Sequence, residues 1–278
     1  MTIDYLLIGH MTADLVETGR IAGGTVSYAA PVVSHFGHQL NLLTSVAVCE
    51  PLLMDLISYG DLTIRASEHT TTFENIYEPT GRRQVVHERA KTLYYEDIPA
   101  GWLNAQLLHL GPIAAESDPD IVHQFPDATI LLTPQGWMRE WEEDGQIYFK
   151  RWLEKDILSA VDIVVFSRED IKAAPELEAE YAASVEHLFV TRDAEGGTYY
   201  HNGQPHEYDA IPMQEVSVTG AGDVFAASLL CALPLVDHDM YKALDVARQL
   251  AALSVTRKGI HASTTSEEVE QVLESVLS

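Results

Sequence analysis

Cysteine, positive charge and long apolar runs are all scarce in this sequence, and each scarcity removes a class of protein. Cys49 and Cys231 are its two cysteines. They lie far apart and form no CxxC pair, so no disulfide framework or zinc ribbon is expected, and both read as reduced core thiols. No apolar stretch approaches the roughly 18 residues of a membrane span. The chain starts with polar residues and then a strand-like Asp4 to Gly9, without a signal-peptide pattern, which predicts a soluble cytoplasmic protein. Seventeen Lys and Arg stand against 42 Asp and Glu, a net charge of −25. That charge opposes nucleic acid and anionic membrane as partners, and any anionic small molecule must be held by local positive features.

Several catalytic motifs are missing too. There is no Gly-x-x-x-x-Gly-Lys-Ser/Thr loop and no GxSxG elbow. The first strand leads into Gly9-His10-Met11-Thr12-Ala13-Asp14, which lacks the GxGxxG of a dinucleotide site. Twelve histidines form no HExxH or comparable metal cluster.

What is present is an alternation of strands and helices. Tyr5 to Ile8, Leu40 to Leu43, Leu107 to Leu110, Thr129 to Leu132, Ile163 to Phe166 and Leu188 to Thr191 are short apolar runs of the kind that form buried parallel strands. Helical stretches are expected at Val26 to Phe36, Leu52 to Ser58, Tyr148 to Leu158 and Val224 to Leu233. This pattern predicts an α/β fold: a doubly wound, mostly parallel sheet with helices on both faces. Thr71 to Tyr77 and Arg83 to Arg89 break the rhythm as a β-hairpin around a turn at Glu78-Pro79-Thr80-Gly81. With no internal repeat and no Gly/Ser linker, residues 1–278 read as one domain. A small β lid is expected at about 68–92, with residues 12–22 as candidates to join it.

The strongest chemical signal is Thr219-Gly220-Ala221-Gly222-Asp223-Val224-Phe225 at the start of an apolar helix. Gly220, Ala221 and Gly222 would present backbone N–H groups at the positive helix end, suited to phosphoryl charge, with Asp223 placed to take a proton from a hydroxyl. The competing reading is an ordinary helix-start turn with a first-turn acid.

This heptad resembles the C-terminal signature of the PfkB/ribokinase carbohydrate kinases, and other segments follow in that family's order. Ile8-Gly9-His10 through Asp14 resembles its first strand and substrate-binding aspartate, and Gly23-Gly24 its N-terminal diglycine. The 71–90 hairpin falls where the family places its lid. Val190 to Gly197 is similar to the nucleotide-side strand and turn, and Ala251 to Gly259 to the closing helix and loop near adenine. Val26-Ser27-Tyr28 and Thr71-Thr72-Phe73 resemble the plant-type inositol-kinase-like branch and lean the reading toward cyclitols.

The resemblance implies a ribokinase-like fold and ATP-dependent phosphorylation of a small sugar or cyclitol. Asp223 would act as base and the 220–222 backbone as anion hole. Asp14, Gly23, Gly24, Tyr28 and Arg139 would bind substrate; Thr191, Gly196, Thr219 and Gly259 would line the nucleotide. Tyr28 stands where many relatives have Asn and reads equally as a core residue. Arg139 reads equally as a surface arginine paired with Glu140 or Glu142. Mg2+ follows from triphosphate chemistry. The family's Asn-x-x-Glu motif is represented by Ser167-Arg168-Glu169-Asp170, which leaves Asp170 as the metal candidate. Ser217 replaces an aspartate associated with a monovalent cation, so potassium activation is left unsupported. Asp193 introduces an acid near the expected phosphates. Two alternatives stay open, a ligand sensor that kept the fold and a kinase for a nucleoside or vitamin precursor. Pairing of two chains through the lid is also open.

Overall fold

The structure is a computed structural model and describes residues 3–78, 81–260 and 263–278. Nine strands form the main sheet, in the order β15-β14-β13-β12-β9-β8-β1-β4-β5. They are β1 (Asp4–Ile8), β4 (Gln39–Ala47), β5 (Asp61–Ser67), β8 (Leu107–Leu110), β9 (Thr129–Leu132), β12 (Ile163–Ser167), β13 (His187–Thr191), β14 (Gly197–His201) and β15 (Gln204–Tyr208). All pairings from β5 across to β13 are parallel, and β14 and β15 are antiparallel. Asn202 and Gly203 join β14 to β15 with φ of 50° and 77°, the two positive angles that a tight hairpin turn needs. Pro205 lies in the outermost strand, opposite Tyr200.

Side-chain alternation sends each central strand into two separate cores. Tyr5, Leu7, Leu107, Leu131, Ile163, Val165 and Phe189 enter one; Leu6, Ile8, Leu108, Leu110, Ile130, Leu132, Val164, Phe166, Leu188 and Val190 enter the other. The first core is roofed by α1 (Thr25–His35), α4 (Ala221–Ala232), α5 (Met240–Ser254) and α6 (Ser266–Leu277). The second is roofed by the shorter α2 (Lys155–Leu158) and α3 (Leu177–Ala182) and by loops. Every residue of α4 from Val224 to Ala232 is buried, so burial, at about 1.5–3 kcal/mol per large side chain, holds this helix in place. Truncating Leu229 there would cost about 2–5 kcal/mol.

A second, four-stranded sheet stands apart in the order β3-β2-β6-β7. Its strands are β2 (Thr12–Val16), β3 (Gly19–Gly23), β6 (Thr72–Glu78) and β7 (Gly81–Glu88). Pro79 and Thr80 of the expected turn lie outside the described residues. The hairpin β10 (Arg139–Trp141) and β11 (Ile147–Phe149) abuts this sheet: Gly145 accepts a hydrogen bond from Val86 N–H at 2.9 Å. A Cβ on Gly145 would lie 2.2 Å from the Val86 carbonyl oxygen, which explains the glycine.

Three local expectations differ from the structure. Tyr148 to Leu158 is β11 and the one-turn α2 rather than a single helix. Trp152 leaves helical register to pack against Trp137, ring centroids 4.6 Å apart at a tilt of 43°, and its indole N–H donates to Glu154. The 52–58 stretch forms only a 3₁₀ turn, Pro51–Asp55, capped by the Glu50 carboxylate. Cys49 is exposed with φ 66°, whereas Cys231 is a core thiol. Among the described residues no helix is long and apolar enough to cross a membrane.

Candidate active site

The carboxyl ends of β1, β8, β9, β12 and β13 lie at one end of the sheet, where open α/β folds place their ligands. Helices α1 and α4 both start there, each behind a glycine with positive φ: Gly24 at 83° and Gly220 at 85°.

Asp14 reaches this end from β2. Its Oδ1 accepts a hydrogen bond from the Thr12 hydroxyl at 2.9 Å. Its carboxyl lies flat on Gly23, where a Cβ would come within 2.5 Å of Oδ2. Burial raises the Asp14 pKa above its ordinary value, and Thr12 and Arg139 oppose the rise. Gly24 lies on the carbonyl oxygen of His10, 2.5 Å from its would-be Cβ.

Asp223 sits in the first turn of α4 and is half-buried. Enclosure by protein is the main reason its carboxyl is pushed up to about 6. A hydrogen bond from the Thr25 hydroxyl and the charge of Arg139 pull it down, while Asp170 and Asp14 push it further up. Those partners bring Asp14, Arg139, Asp170 and Asp223 into one electrostatic cluster. Tyr28 joins it. Burial raises its phenol pKa, and the charges of Asp14 and Asp223 add to the rise. Its ring fills the space beside Gly220, 2.2 Å from where a Cβ would stand. Gly222 is different, exposed and facing open space.

Of the three peptide N–H groups expected at this helix start, that of Ala221 already donates to Val218 O at 3.2 Å. The first-turn N–H groups of Gly222 and Asp223 have no acceptor within the helix, and the N-cap glycine has no side chain to cap them. They can therefore receive an anion.

Arg139 bridges the two sheets. It donates to Ile113 O at 2.9 Å and Gln84 Oε1 at 3.3 Å, and its guanidinium lies over the Phe73 ring, 5.7 Å from the centroid. Asp170 accepts from the Gln135 amide at 2.5 Å and from Ser167 N–H at 2.8 Å. Each oxygen keeps a lone pair, so the carboxylate can still serve a hydrated cation.

The nucleotide-side candidates are more dispersed. Thr219 and Gly259 are exposed on loops that approach each other, since Val216 and Ser217 both donate to Val255 O. Thr191 ends β13. Gly196 packs on β15, where a Cβ would lie 2.0 Å from Tyr208 O, so its glycine answers a strand contact rather than a ligand. Arg192 is tied to Glu178 at 2.7 Å, and Asp193 is exposed.

Sequence reasoning missed two features. Thr25, first residue of α1, aligns Asp223 and could have been found only as the hydroxyl following a diglycine. Glu116 is fully buried and accepts from the N–H groups of His10 (2.9 Å), Ile113 (3.0 and 2.9 Å) and Ala114 (2.5 Å). It locks the loop after β1 to the loop after β8. His10 extends the lock through Thr71 at 2.7 Å and Lys91 O at 2.8 Å.

Residues 149–267 match the pfkB family carbohydrate kinase profile. The chain is 29% identical over 202 residues to a fructokinase of Escherichia coli, covering 64% of this chain and 63% of that one, so the match spans less than two thirds of that relative. It is 26% identical over 262 residues to an inositol 3-kinase of Zea mays, covering 84% and 69% of the two chains. A pyrophosphate-dependent kinase in the ribokinase family, solved with a pyrophosphate analogue and myo-inositol, superposes with a TM-score of 0.79 at 19% identity over 96% of this chain and 99% of that one. The fold is thus the ribokinase fold.

Proposed function

We propose that the chain is a carbohydrate kinase of the pfkB family, a reading supported by the profile match over residues 149–267 and by the fructokinase and inositol 3-kinase relatives, and that it transfers the γ-phosphoryl group of ATP to a hydroxyl of a small sugar or cyclitol. Asp14 and the Gly23-Gly24 backbone hold the acceptor, with the Tyr28 ring against it. Asp223 takes the proton as the acceptor oxygen bonds to phosphorus and the bond to the β-phosphate oxygen breaks; ADP leaves, and the proton passes on to solvent. The N–H groups of Gly222 and Asp223, with Arg139, meet the charge on the transferring group. Thr191, Thr219 and Gly259 line the nucleotide path, with Gly196 shaping the turn behind it. Asp170 is the residue suited to hold hydrated Mg2+, which when bound neutralises phosphate oxygens. The β3-β2-β6-β7 sheet covers the acceptor and excludes water.

The observation that carries this reading is the Asp223 carboxyl, held at about 6 beside an open helix start and within the field of Asp14, Asp170 and Arg139. At that value it is ionised at neutral pH and still basic enough to accept a proton. Inositols, pentoses, hexoses and nucleosides, each offered with ATP and with pyrophosphate, form the test panel. The expected result is ADP formation with a sugar or cyclitol, abolished in Asp223→Asn. Acceptor binding without turnover under either donor would make the protein a sensor instead. A hit with a nucleoside, or with pyrophosphate alone, would redirect the acceptor or the donor.

A further inference from the structure

The far end of the sheet carries a second cluster of chemistry-bearing side chains that phosphoryl transfer does not use. His187 opens β13 and His201 closes β14, directly opposite one another in the antiparallel register. Residue 187 is four residues from Thr191, so the pair lies about 13 Å down the strand from the ligand end. The two imidazoles stack with centroids 5.0 Å apart and an interplanar angle of 18°. Both Nε2 atoms face the same carboxylate oxygen, Glu186 Oε1, at 3.7 and 3.6 Å. These separations are too long for hydrogen bonds. One ligand atom from each of the three residues lies within 4.8 Å of the others.

We propose that Glu186, His187 and His201 bind one divalent transition-metal ion of the zinc type, with water completing its coordination. Two imidazoles and one carboxylate are a borderline donor set suited to Zn2+ rather than to Mg2+ or Ca2+. The His187 ring is already oriented: its Nδ1 is hydrogen-bonded to the Tyr199 hydroxyl at 2.8 Å, which turns Nε2 toward the cluster, as an outer partner does in metal sites. Ligands on one zinc lie about 3.3 Å apart, so the cluster must tighten by about an ångström. Glu186 and His201, with side chains 58% and 44% exposed, have the freedom to do this. The Glu186 backbone is anchored by Asn202 N–H at 2.8 Å. Bound metal would clip β13 to β14, one strand in from the edge of the sheet, and leave the phosphoryl-transfer end untouched.

The test is a Zn2+ titration of the chelator-stripped full chain against a chromophoric competitor, with thermal unfolding followed in parallel. The wild type is expected to take up one tight equivalent and to unfold at a higher temperature with zinc. His201→Gln should weaken binding at least roughly tenfold and abolish the thermal shift, while His238→Gln, at an unrelated surface position, changes neither. Glu186→Gln, an exposed and nearly isosteric change, gives the same reading if the histidine variant folds poorly. No tight equivalent in the wild type, or one that both cluster variants retain, overturns the proposal.

Discussion

Helices α1 and α4 both begin at a glycine of positive φ at the same end of the sheet, but the space around their glycines differs. At α1, Gly23 is covered by the Asp14 carboxyl and Gly24 by the His10 carbonyl oxygen. At α4, Gly220 is covered by the Tyr28 ring, and Gly222 faces nothing. One helix start is closed around a carboxylate and the other is left open to an anion. Glycine therefore does two jobs here: it makes room for a neighbouring side chain in one place and for a ligand in the other. Tyr28, borne on α1 and seated on α4, couples them.

The comparison breaks most sharply at the one acid in the open start. Asp223→Asn should lower kcat by about 10²–10⁴, measured by steady-state ADP release. The folded state disfavours the ionised carboxyl, so stability falls as pH rises through the raised pKa. The same variant should therefore unfold at a higher temperature than wild type at pH 8, with the gain vanishing in acid. Next comes Gly220→Ala, which must force a Cβ against Tyr28 at positive φ. It should cost about 2–4 kcal/mol in urea unfolding and impair both substrates together. Gly23→Ala meets first the Asp14 carboxyl, a side chain rather than a ring or backbone. It should raise KM for the acceptor roughly tenfold to a hundredfold with a smaller loss of stability. The pH profile of kcat/KM sharpens the contrast further. Activity should be full above about pH 6 and fall tenfold per unit below it as Asp223 is protonated, whereas acceptor affinity need not follow that curve. Gly222→Ala gives the smallest effect. Its side chain meets open space, so the helix should gain up to about 1 kcal/mol while KM for the phosphoryl donor rises.

The same contrast explains what could be read in advance. The six central strands are buried on both faces, so they appear as unbroken apolar runs, and α4 announces itself through small and apolar residues ending before Pro234. Strands β5 and β15 were not legible in that way, because they lie at sheet edges and carry exposed polar residues. The 148–158 stretch misled because Trp152 obeys a contact with Trp137, fifteen residues earlier, that local periodicity does not show and that exists only after folding. Among site residues, Asp14, Asp223 and the glycines stand in short motifs with a chemical reason for their spacing. Glu116 and Thr25 act through partners about a hundred or more residues distant, His10 and Asp223, and no local pattern marks them.

The outermost strand has a bearing on behaviour at high concentration. β15 carries Pro205 among exposed polar side chains, so this rim of the nine-stranded sheet offers one amide fewer and a rigid ring to any strand trying to add itself. The sheet thereby resists growth from one molecule into the next, a safeguard against fibrous assembly set by a single imino acid.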